Sequence, residues 1–464
     1  MDSIESKREA PEPVAGGVSP DVSEEATPTP SRVQPILVVV AGFLVMFTST
    51  AVIFSFGVYQ ALYEAMAKEA DTPFTGASSA MIGLIGTLAI ALMSMAAPFV
   101  MTWIKVYPPR VVVMAGGVVF GVACVLASVS ERLWQFVLTQ GLLLGIGVCM
   151  AYIPAVTVSP TWFDRRRGLA MGLIIAGSAL GGIVWPPVLR ALIDAVGFRN
   201  ALRICGCICC LCNVLAGAAL RWEPRFYERQ VRVQVRHLTP ATGWYKVVPL
   251  VNWQVARTSK FAAQALGCFL QSAAYSTPLF FYASYAQALG YSGTAAANFI
   301  TLSNASNFVS RILTGYMADH CGRINALLFT TFASTIAVLA FWLPSIVAQA
   351  HGSSLTGHAL FFVFTILYGC FASAYISLFP ASLIELFGVQ NFTSVNGALY
   401  LVRGLGALVG TPLTGLLIPQ ATALTAPIAY ERAAITVGVL LFAATVAIFW
   451  ARVEVTLGGW KWKV

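Results

Sequence analysis

The feature that most constrains this chain is a succession of twelve apolar stretches, each long enough to cross a membrane as a helix. A transmembrane helix needs about 20 apolar residues. The chain is 58% hydrophobic and only 10% charged, whereas soluble domains carry about 25% charged residues. The pattern predicts an all-α membrane protein with twelve transmembrane helices. The predicted spans are 35–60, 79–103, 111–129, 135–160, 168–192, 200–220, 261–285, 293–317, 325–347, 357–379, 392–418 and 431–451.

The predicted spans form two groups of six, separated by one polar stretch. We therefore predict an N-terminal half at 35–220, a linker at 221–260 and a C-terminal half at 261–451. The linker carries eight Lys or Arg residues and three prolines, a composition typical of a loop. Residues 1–34 hold seven acidic and three basic residues with few large apolar side chains, which predicts a disordered tail. Residues 452–464 form a short C-terminal tail.

The distribution of positive charge predicts the orientation in the membrane. With both termini in the cytosol, the cytosolic segments hold 20 Lys and Arg residues and the outer loops only 6. Because cytosolic loops carry the excess of positive charge, we predict that both termini and the linker are cytosolic. The plasma membrane is the predicted location, with an organelle membrane as the alternative. The net charge of +9 then indicates basic loops beside a lipid bilayer, and not a nucleic-acid partner.

A short motif follows the eighth predicted span. Gly315 is followed by Asp319, Gly322 and Arg323, which resembles the signature loop of the major facilitator superfamily. Such a loop is a latch, because the glycine lets two helices approach and the carboxylate faces a helix N terminus or a cation. We predict that Gly315, Asp319 and Arg323 are gating residues. The alternative is an ordinary turn with solvated side chains.

The equivalent position after the second span holds a decayed copy of this motif. Met101 stands in place of the glycine, and Lys105 stands in place of the aspartate. Two related loops at equivalent positions favour a parallel repeat of two six-helix halves, which is the major facilitator fold.

A second motif lies between the fourth and fifth spans. The chain reads Trp-Phe-Asp-Arg-Arg-Arg-Gly-Leu-Ala-Met-Gly over 162–172 and Ala-Gly-Ser-Ala-Leu-Gly-Gly over 176–182. This resembles the monocarboxylate porter family of the superfamily, and its fungal members in particular. The resemblance implies alternating access about a midplane site, a monomeric transport unit and a monocarboxylate or other organic anion as substrate. Fungal relatives of this kind include nutrient carriers and exporters of secondary metabolites.

The first span departs from that family in two ways. It lacks the acidic-Gly-Gly-aromatic-Gly-Trp motif that usually opens the span. It also carries no charged residue from Pro35 to Gln60, whereas animal lactate carriers have a lysine there that helps to bind proton and substrate. Protons remain a candidate co-substrate, but this sequence does not predict coupling by that route.

Arg311 is the first of two charged residues predicted to lie inside the membrane. A charge there is costly unless it faces a cavity or a partner, and it marks a functional site. Asn304, Asn307, Arg311 and Thr314 share one helix face by their spacing. Arg311 falls where the resembling family has its substrate-binding arginine, and Asn307 stands where animal members have an aspartate. We predict that Arg311 binds the substrate's carboxylate, with Asn307 as a neutral hydrogen-bond partner and Asn304 nearby. The alternative is that Arg311 snorkels or caps carbonyl groups near the cytosolic end.

Arg403, in the eleventh span, is the second such residue. Asn396, Tyr400 and Arg403 share a face by their spacing, and we predict that Arg403 and Tyr400 line the substrate site. The alternative is a later helix start, which would place Arg403 at the membrane interface. If both arginines face the central cavity, the cavity carries about two positive charges and prefers anions.

The seventh span adds Gln271 and Tyr275 on one polar stripe. We predict that these side chains also contact the substrate, through hydrogen bonds or ring stacking. Polar residues at a helix-packing seam are the alternative explanation.

The sequence carries none of the common enzyme motifs. The four histidines form no metal-binding spacing, and no phosphate-binding loop is present. We therefore predict no catalytic residue, metal site or cofactor. The predicted function is secondary transport of a monocarboxylate or other organic-anion metabolite. The alternatives are an exporter of a neutral or hydrophobic metabolite and a non-transporting membrane sensor.

Overall fold

The structure is a computed structural model, and it describes residues 33–163, 165–228, 253–419 and 426–456. Within these residues the chain forms twelve membrane-length helical segments, labelled α1 to α12 below. Almost all of the predicted tail at 1–34 lies outside the described residues. The same is true of most of the predicted linker at 221–260 and of the last eight residues of the chain.

The N-terminal half contains α1 to α6. α2 bends by 44° between its two parts. α5 and α6 form one continuous hydrogen-bonded run that changes direction at Gly197, whose φ of 77° suits glycine best. The bounds are Gln34–Met66 for α1, Ser79–Met95 with Ala97–Val106 for α2, Pro109–Val129 for α3, Leu133–Trp162 for α4, 167–196 for α5 and 198–219 for α6.

The C-terminal half contains α7 to α12. α10 and α11 also run together, and the chain turns between them at Gly388, whose φ is 72°. The bounds are Ser259–Ala288 for α7, Gly293–Cys321 for α8, Arg323–Ala350 for α9, 354–387 for α10, 389–416 for α11 and Pro427–Thr456 for α12. Every predicted span overlaps one of these twelve helices.

Hydropathy separates α7 and α8 from the other helices. Seven helical runs of the described chain are long and apolar enough to cross a membrane, or eight if α2 is counted as one bent span. Two of these runs, α5–α6 and α10–α11, each contain two spans. α7 and α8 fall outside this group because they carry more polar side chains. They are also the helices that hold five of the predicted substrate-site residues.

An even number of spans puts the start of α1 and the end of α12 on one side of the membrane, which we call the terminal side. The connections between α4 and α5, between α8 and α9 and between α10 and α11 lie on the same side. The two halves contact each other along two seams, one formed by α5 and α8 and the other by α2 and α11. The residues predicted to bind substrate and to gate transport lie at or beside these seams.

Candidate substrate site and gate

The seam between α5 and α8 begins at the terminal side with direct backbone contact. A methyl group added to Gly168 would lie 2.5 Å from the carbonyl oxygen of Gly315. A methyl group added to Gly172 would overlap the carbonyl oxygen of Arg311. Helices can approach this closely only where side chains are absent. Gly315, predicted from its motif to permit close approach, therefore lies where the two halves touch.

Asp319 connects the two halves at the end of this seam. Its Oδ1 accepts a hydrogen bond from the backbone N–H of Gly168 at 2.8 Å, and its Oδ2 accepts one from Leu169 at 2.9 Å. Both N–H groups belong to the first turn of α5, where the helix dipole favours a negative charge. The carboxylate of the C-terminal half thus caps a helix of the N-terminal half, and this contact must break when the halves separate on this side.

Arg323 extends the latch to a third helix. Its guanidinium lies 3.1 Å from Asp319 and 2.8 Å from the carboxylate of Glu385 on α10. Glu385 was not among the residues selected from the sequence. In the sequence, Glu385 is a single acidic residue just beyond an apolar span. Sequence alone does not distinguish such a residue from an ordinary loop carboxylate.

Arg311 is only 3% exposed, and it reaches across the seam. Its Nη1 donates to the backbone carbonyl of Ile175 and, at 2.6 Å, to Oγ of Ser178 on α5. Arg311 therefore does cap a carbonyl group. That carbonyl belongs to Ile175 on α5, in the opposite half. Ser178 was not selected from the sequence, because its position opposite Arg311 depends on how the halves dock.

The two asparagines on the same face of α8 differ in their contacts. Asn307 is 6% exposed, and its Oδ1 has no hydrogen-bond partner among the described residues. No hydrogen bond joins Asn307 to Arg311, because the guanidinium points across to α5, and the predicted role of Asn307 in substrate binding stays a prediction. Asn304 makes a long hydrogen bond of 3.4 Å to the carbonyl of Gly182, again across the seam.

Arg403 lies deep in α11 and is 7% exposed. The helix starts directly after Gly388, earlier than predicted, so the later helix start on which the interfacial alternative for Arg403 depends is not seen. Its guanidinium lies over the ring of Tyr400, 5.7 Å from the centroid, and its Nη1 has no partner among the described residues. The hydroxyl of Tyr400 is in turn 3.1 Å from that of Tyr152 on α4, a second contact between the halves.

α7 brings Gln271 and Tyr275 to the same region. Gln271 donates to the carbonyl of Ala372 at 3.3 Å, while its Oε1 has no partner in the described part of the chain. Tyr275 is buried and lies close enough to Arg311 and Arg403 to interact electrostatically with both. The structure therefore places Tyr275 beside both arginines, with Gln271 one helical turn away on α7.

The centre of the protein carries positive charge without a matching carboxylate. Among the described residues, no carboxylate lies within 4 Å of Arg311 or Arg403. The two guanidinium groups lie close enough to repel each other. Buried charges are costly unless paired. This arrangement is therefore suited to binding a negative group by paired N–H donors, with tyrosine hydroxyls and amides available for further hydrogen bonds.

The second seam, between α2 and α11, is closed by a different arrangement. Met101, which stands in place of the signature glycine, packs against Gly397, where an added methyl group would lie 3.2 Å from its Cγ. Nearby, Asn396 donates to Oγ1 of Thr157 at 3.2 Å. The small residue that allows close approach is thus on α11 at this seam. The halves are in contact at both seams, so the terminal side is closed in this structure.

Comparison with known proteins agrees with this architecture. Residues 38–354 match the family model of the Major Facilitator Superfamily. The chain is 30% identical to the MFS-type transporter pynF of Aspergillus niger, over 82% of this chain and 81% of the relative. It is 28% identical to the agnestins efflux protein AgnL12 of Paecilomyces divaricatus, over 98% of this chain and 95% of the relative.

A solved structure with the same fold is that of the proton:xylose symporter XylE bound to 6-bromo-6-deoxy-D-glucose. The TM-score is 0.64 with 13% identity, over 88% of this chain and 94% of the other. The predictions of an all-α, twelve-helix fold and of a non-enzymatic, multi-pass membrane transporter are confirmed. Membership of the monocarboxylate porter family stays a prediction. The chain belongs to the major facilitator superfamily of membrane transporters.

Proposed function

We propose that this transporter exports an organic anion, a metabolite bearing at least one carboxylate, by alternating access. The observation that carries the proposal is the pair of buried arginines, Arg311 and Arg403, which have no carboxylate partner among the described residues. A guanidinium binds a carboxylate through two parallel N–H donors. An anion that enters between the halves would neutralise the charge that this seam otherwise leaves uncompensated.

The mechanism follows from which contacts must break. When the terminal side opens, Arg311 leaves the carbonyl of Ile175 and the hydroxyl of Ser178, and Asp319 leaves the N terminus of α5. The freed guanidinium then needs a new acceptor, and the substrate's carboxylate provides one. When the terminal side closes again, α5 competes with the substrate for Arg311, which favours release on the other side.

The proposed direction and location rest on charge distribution and on relatives. The excess of Lys and Arg supports cytosolic termini, so the terminal side would face the cytosol, and the plasma membrane is the proposed site. Export is supported by the relative AgnL12, whose name describes an efflux protein for agnestins. The resemblance to monocarboxylate porters supports a carboxylate substrate. The uncharged first span gives no support for proton symport through a lysine at that position.

Export of a neutral or hydrophobic metabolite is the second candidate function. The observation that favours it is that Arg311 already has two acceptors on α5. In that case Arg311 would serve only to close the seam, and the tyrosines and amides around it would bind the substrate.

Metabolite profiling of a deletion strain tests the proposed function. If the protein exports an organic anion, a carboxylate-bearing compound should accumulate in the cells and fall in the medium. Reintroducing the intact gene should reverse both changes, and energised membrane vesicles should transport the identified compound. Accumulation of a compound without an acidic group would favour the second candidate, and normal export of all metabolites would contradict both.

Thiol labelling of intact cells tests the proposed orientation. A membrane-impermeant reagent should label Glu131→Cys and Ser353→Cys, which lie in exposed turns of the outer side, and should not label Arg225→Cys. The unsubstituted chain controls for the native exposed cysteines, Cys207 and Cys321. Labelling of Arg225→Cys in intact cells, with Glu131→Cys and Ser353→Cys unlabelled, would reverse the orientation.

A further inference from the structure

A cavity of about 820 Å³ opens on the terminal side between α5 and α8, beside the latch. Arg165 and Arg166, which immediately precede α5, line this cavity and are exposed. Neither side chain forms an ion pair within the described part of the chain. Two guanidinium groups are therefore available to a ligand at the mouth of the cavity.

Among the described residues, the two carboxylates that line the cavity do not cancel this charge. Asp319 is held by the first turn of α5 and by Arg323, and Glu385 is paired with Arg323. Asp319 is thus engaged through both oxygens, and Glu385 is engaged through Oε1, while its Oε2 has no hydrogen-bond partner among the described residues. The charge that Arg165 and Arg166 present to a ligand remains positive.

Apolar side chains follow the cavity along the same two helices, and we call this stretch the groove. Leu169 and Tyr316 line the cavity, and Leu173 and Leu313 lie one turn further along α5 and α8 on the same faces. Leu313 is 61% exposed and Tyr316 is 56% exposed. Exposed apolar side chains on a membrane protein contact lipid tails, so the groove leads from the cationic cavity into the bilayer.

We propose that this cavity and groove bind one anionic phospholipid. Its phosphate would contact Arg165 and Arg166, and an acyl chain would lie between Leu173 and Leu313. Charge complementarity selects an anionic headgroup, and the apolar groove selects a lipid over a soluble phosphate compound. Because α5 and α8 belong to different halves, a lipid bound to both stabilises the state that is closed on the terminal side. Anionic lipids are concentrated in the cytosolic leaflet. The proposal therefore rests on the proposed orientation, in which the terminal side faces the cytosol.

Binding of lipids to the purified full-length protein, followed by native mass spectrometry, tests the proposal. Phosphatidylserine should bind more tightly than phosphatidylcholine with the same acyl chains. The double variant R165Q/R166Q should weaken phosphatidylserine binding roughly thirtyfold, given the usual contribution of two basic residues near an anionic membrane surface. The matched control R110Q/R225Q removes two exposed arginines from the same side, and it should change binding by less than about threefold if the site is specific.

A second measurement follows the closed state and needs no substrate. Phosphatidylserine should slow hydrogen exchange of the backbone at the start of α5 in the unsubstituted protein and not in R165Q/R166Q. If the double variant does not purify as a folded protein, the single variants R165Q and R166Q are compared instead, because each should lose part of the same effect.

Three results would overturn the proposal. One is equal binding of the two lipids, and another is equal weakening by the control pair. The third is displacement of phosphatidylserine by soluble glycerophosphoserine at the same concentration, which would assign the cavity to a soluble phosphate compound. None of these results bears on the proposed transport of an organic anion, because lipid binding is measured without that substrate.

Discussion

Replacing Arg311 with lysine is expected to lower transport of the proposed organic-anion substrate by roughly ten- to a hundredfold, the range that corresponds to one lost charge-assisted hydrogen bond. The substitution keeps the charge, but the ammonium is a point charge that does not reproduce the paired donors of a guanidinium. It should also fail to reach both Ile175 and Ser178 on α5, so closure of the terminal side should weaken as well. Initial rates in membrane vesicles, with the compound identified by metabolite profiling, measure the effect.

The control for this experiment is Arg190→Lys, the same substitution at an exposed position of α5. It should transport at nearly the unsubstituted rate, and both variants must first be shown to reach the membrane. Ser178→Ala separates the two roles of Arg311, because it removes one acceptor on α5 and leaves the guanidinium free to bind an anion. If Arg311→Lys transports normally, Arg311 does not bind the substrate. The case for an anion would then rest on Arg403 alone.

Replacing Asp319 with asparagine is expected to lower the maximal transport rate about tenfold or more, with a much smaller change in the substrate concentration that gives half-maximal rate. The carboxylate accepts two backbone hydrogen bonds from α5 and pairs with Arg323. An amide has one acceptor oxygen, so one N–H of α5 would face an NH₂ group. Hydrogen bonds to charged groups contribute about 1.5–3 kcal/mol each, enough to shift the closed-to-open equilibrium at least tenfold.

The control for the latch is Asp194→Asn, an exposed carboxylate near the end of α5 that lies away from the terminal side. It should leave both the rate and the half-saturating concentration unchanged. A normal rate for Asp319→Asn at normal surface expression would remove the latch from the transport cycle. A large change in half-saturation with an unchanged rate would instead assign Asp319 to substrate binding.

The number, order and type of the helices could be predicted from the sequence because each span carries its own signal. An apolar stretch of membrane length is readable without knowing what packs beside it. The polarity of α7 and α8 is equally local, and it pointed to Arg311, Gln271 and Tyr275. The contact of Asp319 with a neighbouring helix N terminus was likewise predicted from a short motif of fixed spacing.

The partners of these residues could not be predicted in the same way. Ser178 and Ile175 are far from Arg311 in sequence, and nothing local marks them as its acceptors. Glu385 is equally distant from Arg323. Asn307 and Arg311 share a helix face, but no hydrogen bond joins them in the structure. Spacing on one helix shows which residues share a face, but not what the long arginine side chain reaches across a seam.

Local sequence patterns were sufficient to predict the components of this protein, which are twelve membrane helices in two halves, buried arginines and a latch motif. Only the tertiary structure decided how the halves meet. Met101 breaks the signature in the first half, and by sequence alone that copy is decayed. In the structure Gly397 on α11 makes the room that Met101 needs, so the seam still closes. Two helices can approach closely if either one carries a small residue at the contact. Which helix carries it is known only once the docking of the two halves is known.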